Sequence, residues 1–300
     1  MFYITECDPA GFPPNALNSS TGIGPASSRR TPGLGAAERY LERIVAVVLF
    51  ALPLVAASGS VSLSHREALR IGRRIWQNEC GETVAGLTSW NEGEGFASLG
   101  IGHFIWYPAG RRGPFAESFP EFVRYAEKRG ARLPELLQGG EGEACPWNSR
   151  ADFLQAGVSV RMKDLRRFLI DTIDLQADFL VARLRGALPR MLAVATPGAR
   201  GRIARQFDRV ASSGQGCYAL IDYVNFKGDG VLVAERYRGR GWGLLQVLDG
   251  MADESEGAAA TSEFADSAAR LLRERVKNSP PERNERRWLP GWLNRVASYR

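Results

Sequence analysis

Between Gly86 and Tyr107 the chain alternates apolar with small or polar residues, and four glycines lie inside the run: Gly93, Gly95, Gly100 and Gly102. A period of two means extended backbone, and internal glycines mark tight reversals. So short a span makes a small β-hairpin or meander, which must lean on other elements for stability. Nearly everything after it has helical spacing. Helices are expected near 116–129, 149–157, 161–185, 200–212, 215–226, 240–250, 260–277 and 287–297. The fold class is therefore α+β and mostly α.

The residues just before the sheet are the other strong local signal. Ser64 followed by Glu67 is a capping-box pair and starts a helix at His65. Leu69, Gly72, Ile75 and Trp76 recur at helical spacing and give it a buried stripe. Gly81, after Glu79-Cys80, supplies a left-handed cap.

Three hundred residues, 44% of them hydrophobic, can bury a substantial core. The net charge of +6 is carried mainly by arginine, since Lys128, Lys163, Lys227 and Lys277 are the only lysines. Such a chain is drawn to polyanions, among them nucleic acid, anionic lipid and bacterial cell wall. No basic run interleaved with aromatics singles out nucleic acid, which is not expected as a partner. Residues 1–37 are rich in Pro, Gly, Ser and Asn and read as a disordered leader. Arg39 and Arg43 then flank the apolar run Ile44–Ala57, which is short for a membrane span and suits an export signal. Val55 and Ala57 set a small-residue cleavage pattern, so a periplasmic or secreted mature domain begins near Ser58, with an uncleaved membrane anchor as the rival. This gives a leader and signal over 1–60, one catalytic domain over 61–279 and a helical extension over 280–300, where Trp288, Leu289, Trp292 and Leu293 form an apolar stripe.

Cys7, Cys80, Cys145 and Cys217 include no CxxC pair, and His65 and His103 are the only histidines, so neither a metal site nor a cofactor is expected. One internal disulfide is allowed, with Cys80–Cys217 the best pairing. Cys217 has too few histidine partners for a cysteine peptidase, and no serine sits in a nucleophile elbow.

A helix ending in Glu, a loop, and a small sheet with further carboxylates is what glycoside hydrolysis requires. One carboxyl must donate a proton to the leaving oxygen, and a second, ionised, must activate water or stabilise the developing cation. Glu79 suits the first role. It lies at the negative end of its helix dipole, and burial beside Trp76 or Trp90 would raise its pKa further. Glu92 and Glu94 compete for the second role; on a strand they would share a face. Glu82 is a further candidate acid.

Read together, "NEGEGFASLGIGH" resembles the active-site hairpin of phage-type lysozymes. Gly95-Phe96 matches that family's Gly-aromatic pair, and Ser98 to His103 match its Thr-Ile-Gly-x-Gly-His. The resemblance implies a lysozyme-like fold with a cleft between the sheet lobe and the helical lobe. It also implies Glu79 as the catalytic acid, Glu92 as the second carboxylate in place of the usual Asp, and Ser98 as the hydroxyl that positions water. It covers about forty residues, over 67–107. If the pattern holds, the carboxyls stand roughly 6.5–9.5 Å apart and the reaction inverts; about 5 Å would mean retention.

A second cluster spans 221–248, with Asp222, Tyr223, Asn225, Lys227, Glu235, Arg236, Tyr237 and Trp242 among glycines. Aromatic faces with amides and charges suit a saccharide subsite, and "GWGLLQVL" resembles a segment of lytic transglycosylases. Tyr223, Asn225, Lys227 and Gln246, with Glu94, are the expected substrate contacts. His103 shares a strand face with Leu99, Ile101 and Ile105 and is expected to be structural. The expectation is thus a monomeric, exported peptidoglycan glycosidase acting on N-acetylated glycan, with no stable membrane span once the leader is cleaved. A lytic transglycosylase using Glu79 alone and a non-catalytic wall-binding protein on the same fold are the alternatives.

Overall fold

A computed structural model describes Val61 and residues 63–113, 115–138, 144–252 and 255–300. The expected leader, export signal and cleavage site lie outside the described residues. Helix α1 (His65–Cys80) begins as the sequence predicts. The Ser64 hydroxyl accepts from the Glu67 amide, and the Glu67 carboxylate accepts from the Ser64 amide. It ends at Gly81, left-handed at φ 58°, whose N–H returns to the Gln77 carbonyl at 3.0 Å. Along its length α1 lies against α5 (Ile173–Val194). A methyl group at Gly72 would stand 2.6 Å from the Ala177 side chain, so the contact needs glycine.

A single helical turn leads from α1 into three short antiparallel strands: β1 (Thr88–Ser89), β2 (Ala97–Leu99) and β3 (Phe104–Trp106). They form a meander in chain order, with Ser98 opposite Ser89 on one side and Ile105 on the other. The turn between β2 and β3 is fixed from outside. Gln176 of α5, fully buried, accepts from the Ile101 amide at 2.8 Å and donates to the Leu169 carbonyl at 2.6 Å. Gly100 sits there at φ 72°, and a side chain in its place would run into Gln176.

The remaining elements are helical: α2 (Phe119–Glu127), α3 (Arg150–Gln155), α4 (Val160–Asp171), α5, α6 (Pro197–Ala211), α7 (Gly214–Lys227), α8 (Leu244–Asp249), α9 (Ala258–Asn278) and α10 (Leu289–Ala297). The described residues are thus α+β and mostly α, with one small antiparallel sheet. The helix expected over 161–185 is two. Thr172 (φ −114°) breaks the run, and its hydroxyl donates to the Phe168 carbonyl at 2.7 Å, so the chain turns there instead of continuing. Helix α5 then continues past 185 and through Pro189, because Leu188 and Met191 keep its buried face going.

The core runs from the sheet through the helices to the last turn of the chain. Phe104, Phe122 and Phe179 pack together at its sheet end, and Tyr218, Phe264 and Tyr299 at the other. The stripe on α10 is part of that core, with Trp292 and Val296 buried. Cys80, Cys145 and Cys217 are buried and free, so the expected Cys80–Cys217 disulfide is not formed. Burial pushes the Cys217 thiol up to about 11, which leaves no thiolate for nucleophilic work near neutral pH. Among the described residues no helix is long and apolar enough to cross a membrane.

Candidate active site

Glu79 occupies the last turn of α1 with only 4% of its surface exposed. A carboxylate so buried needs partners, and they arrive from three distant elements. From α10, Arg295 Nη2 donates to Glu79 Oε1 at 2.6 Å. From α7, Asn225 Nδ2 lies 3.3 Å from the same oxygen and also donates to the Gly102 carbonyl at 3.0 Å. From the turn between β2 and β3, His103 Nδ1 stands 3.5 Å from Glu79 Oε2. Asn225 is itself oriented by Arg183 of α5, which donates to its Oδ1 at 3.2 Å.

Behind Glu79 the network continues. Arg295 grips Asp222 of α7 with two hydrogen bonds, Nε to Oδ2 and Nη2 to Oδ1, both 2.8 Å. The Tyr299 hydroxyl donates to Asp222 Oδ2 at 2.6 Å. One guanidinium thus serves two buried carboxylates, in the planar fork geometry that arginine provides.

This changes the acid–base reading of Glu79. Burial does push its pKa upward and is the largest single influence. Arg295, His103 and the hydrogen bonds from Arg295 and Asn225 together outweigh it and hold the carboxyl below the ordinary range. The expectation of a raised pKa considered the helix end and burial alone; a cation in direct contact overrides both. The imidazole of His103 is shifted down, first by burial and also by Arg295, against the pull of Glu79.

His103 is therefore not in line with Leu99, Ile101 and Ile105. Strand β2 stops at Leu99, and His103 itself is left-handed at φ 48°. That turn breaks the alternation and sends the ring toward Glu79. Glu92 and Glu94 are also displaced from the expected strand. Both lie in the turn between β1 and β2, where Gly93 is at φ 82° and the Glu94 amide donates to the Asn91 carbonyl at 3.3 Å. They share no strand face: Glu92 is exposed, whereas Glu94 is buried. Ser98 is buried in the middle strand. Glu82 is exposed just past the end of α1, at φ 57°.

Of the four residues expected to bind substrate from the second cluster, the structure brings only Asn225 to Glu79. Tyr223 is fully buried and its hydroxyl donates to the Trp242 carbonyl at 2.8 Å. The Lys227 ammonium lies over the rings of Phe226 and Trp292, at 4.1 and 3.7 Å. Gln246 folds back to cap its own helix, accepting from the Gly243 amide and donating to the Gly230 carbonyl, each at 3.0 Å. The cluster supplies a carboxyl of a different kind in Glu235. Burial foremost, with Asp229 nearby, pushes it up to about 7, so it changes charge near neutrality. It stands over Gly228, the C-terminal cap of α7.

Sequence reasoning missed Arg295, Arg183 and Gln176 altogether, and named Asp222 only as one member of the second cluster, with no role at Glu79. Arg295 is 216 residues from Glu79, and nothing local to either residue announces the pairing. Comparison of the chain with protein-family models, with curated proteins and with solved structures finds no match.

Proposed function

We propose that this chain is a lysozyme-like glycosidase that cleaves the glycan strands of peptidoglycan, with Glu79 as its catalytic carboxyl. The observation that carries the reading is the setting of Glu79: a buried carboxylate at a helix end, facing the turn of a small glycine-punctuated sheet. Its Oε1 is committed to Arg295 and Asn225. Oε2, beside His103, is the oxygen that takes up a proton and passes it to the leaving oxygen of the glycosidic bond. Glu92, on the exposed turn of the meander, is the second carboxylate that activates water, with Glu94 as the alternative, and Ser98 positions the water. Export through the apolar run after Arg43 would deliver the enzyme to its polymer.

Because its neighbours hold the Glu79 carboxyl low, the protonated form is scarce at neutral pH. Cleavage should therefore rise as pH falls from neutrality, for as long as the second carboxylate stays ionised. A turbidity assay on purified cell walls tests the assignment. Wild type clears the suspension and Glu79→Gln does not; equal clearing by both removes Glu79 from the chemistry. New reducing ends mark hydrolysis, and closed anhydro ends mark the transglycosylase route, in which Glu79 acts alone. The lowered pKa of Glu79 also favours one other reading, a wall-binding protein without activity. Its signature is wild-type protein that sediments with the walls and never clears them.

A further inference from the structure

Helix α9 and the segment that follows it enclose a groove of about 1030 Å³. Arg270, Arg273 and Lys277 line it from α9, and Arg286 from the segment leading to α10. The two carboxylates in its lining are already neutralised. Glu274 pairs with Arg240 at 3.0 Å, and Glu285 is buried against Arg275 at 2.8 Å. Arg273, Lys277 and Arg286 are exposed, and among the described residues they form no ion pair or hydrogen bond. Arg270 donates only to neutral oxygens, the Gly250 carbonyl at 2.8 Å and the Ser267 hydroxyl at 3.2 Å, so its charge is also uncompensated. Four cations thus face one concavity that holds no free anion.

Their spacing selects among polyanions. Arg273 and Lys277 are one helical turn apart, about 6 Å along α9, and Arg270 extends the row by another ~4.5 Å. A three-carbon polyol separates successive phosphates by about one such turn, whereas directly linked phosphates lie much closer together. The lining between the cations is aliphatic, from Val276, Pro280, Pro281 and Leu289, and suits the carbons of such a chain. No aromatic residue lines the groove, so it lacks the stacking platform that single-stranded nucleic acid uses. We propose that this groove binds a phosphodiester-linked polyol chain, in register with the cations on α9. The proposal goes beyond the glycosidase reading and does not rest on it.

The test is titration of the full chain with poly(glycerol phosphate) of defined length at two salt concentrations. Wild type and Glu79→Gln should bind alike, which separates this site from the glycosidase assignment. The triple variant Arg273→Ala/Lys277→Ala/Arg286→Ala should lose at least tenfold in affinity and show a flatter salt dependence, since fewer phosphates are neutralised. Arg66→Ala/Arg161→Ala/Lys163→Ala removes three exposed charges elsewhere and should change affinity less than threefold. An oligothymidylate of equal charge should bind at least tenfold more weakly than the polyol. Equal loss in both triple variants would mean attraction to net charge alone and would overturn the proposal. So would an oligothymidylate that binds as tightly as the polyol.

Discussion

The two ends of α1 each hold a glutamate whose pKa is lowered, and they reach that state by opposite routes. At the N-terminus Glu67 is held down chiefly by the exposed hydroxyl of Ser64, three residues away. At the C-terminus Glu79 is buried, which pushes it the other way, and only groups from α7, α10 and the sheet turn bring it down. One end is solved by its own sequence neighbours. The other is solved by tertiary structure, at the cost of burying three charged side chains together. The difference teaches where charge can be stored for chemistry: an exposed helix cap relaxes with the solvent, but an enclosed carboxylate keeps whatever state its fixed partners impose.

The sharpest way to break this contrast is Arg295→Met. It leaves Glu79 and Asp222 buried without their cation, and unfolding measurements should show a loss of about 3–5 kcal/mol. Glu79 should then behave as an isolated buried acid, with its pKa raised and the alkaline limb of the proposed cleavage moved toward neutral pH. A variant as stable as wild type would mean that the network contributes nothing net.

Next in size are the pH effects. The folded-state pKa of Glu79 is depressed, so its contribution to stability is present above the unfolded value of about 4.5 and lost as pH falls through the folded one. Glu79→Gln should flatten that acid limb in denaturant titrations taken at several pH values. Glu235 has the opposite sign. Its folded pKa of about 7 is raised, so its contribution is complete below about 4.5 and drains away as pH rises through 7. Glu235→Gln should remove a slope worth on the order of 2–3 kcal/mol across that window.

The turn that delivers His103 comes next. Gly100→Ala forces a left-handed alanine against Gln176 and should cost about 1–3 kcal/mol, with altered pH dependence of the proposed cleavage as His103 moves. The smallest effect belongs to the local end. Ser64→Ala should cost about 1 kcal/mol and leave the proposed cleavage untouched, which a paired melting and turbidity measurement checks.

The same contrast explains what could be read from the sequence. The Ser64 cap, the Gly81 stop, a small sheet as hairpin or meander and the position of Glu79 at a helix end all follow from residues within a few positions of one another. The break at Thr172 did not show, because a threonine suits either state and only its bond back to Phe168 decides. Glu92 and Glu94 share no strand face because Gly93, left-handed between them, turns the chain, and alternation alone does not show that turn. His103 was misplaced in the same way, since Gly100 and Gln176 together stop β2 before the imidazole. The protonation state of Glu79 was beyond local reading, because the cation that sets it lies on the last helix. Of the expected substrate contacts in the second cluster, only Asn225 reaches Glu79, since a residue's composition shows what it can bond and not which way its helix turns it.

The place of Arg295 on α10 also sets an order of events during synthesis. When the end of α1 leaves the ribosome, the residue that will neutralise Glu79 is still 216 codons away. At 5–20 residues per second, the wait is about 10–40 s. Through that interval Glu79 has no arginine to lie against and every reason to stay in water. The helix end, the sheet turn and α7 can gather early, but the cavity around the carboxylate closes only when α10 docks, so a helix made long after α1 completes the site.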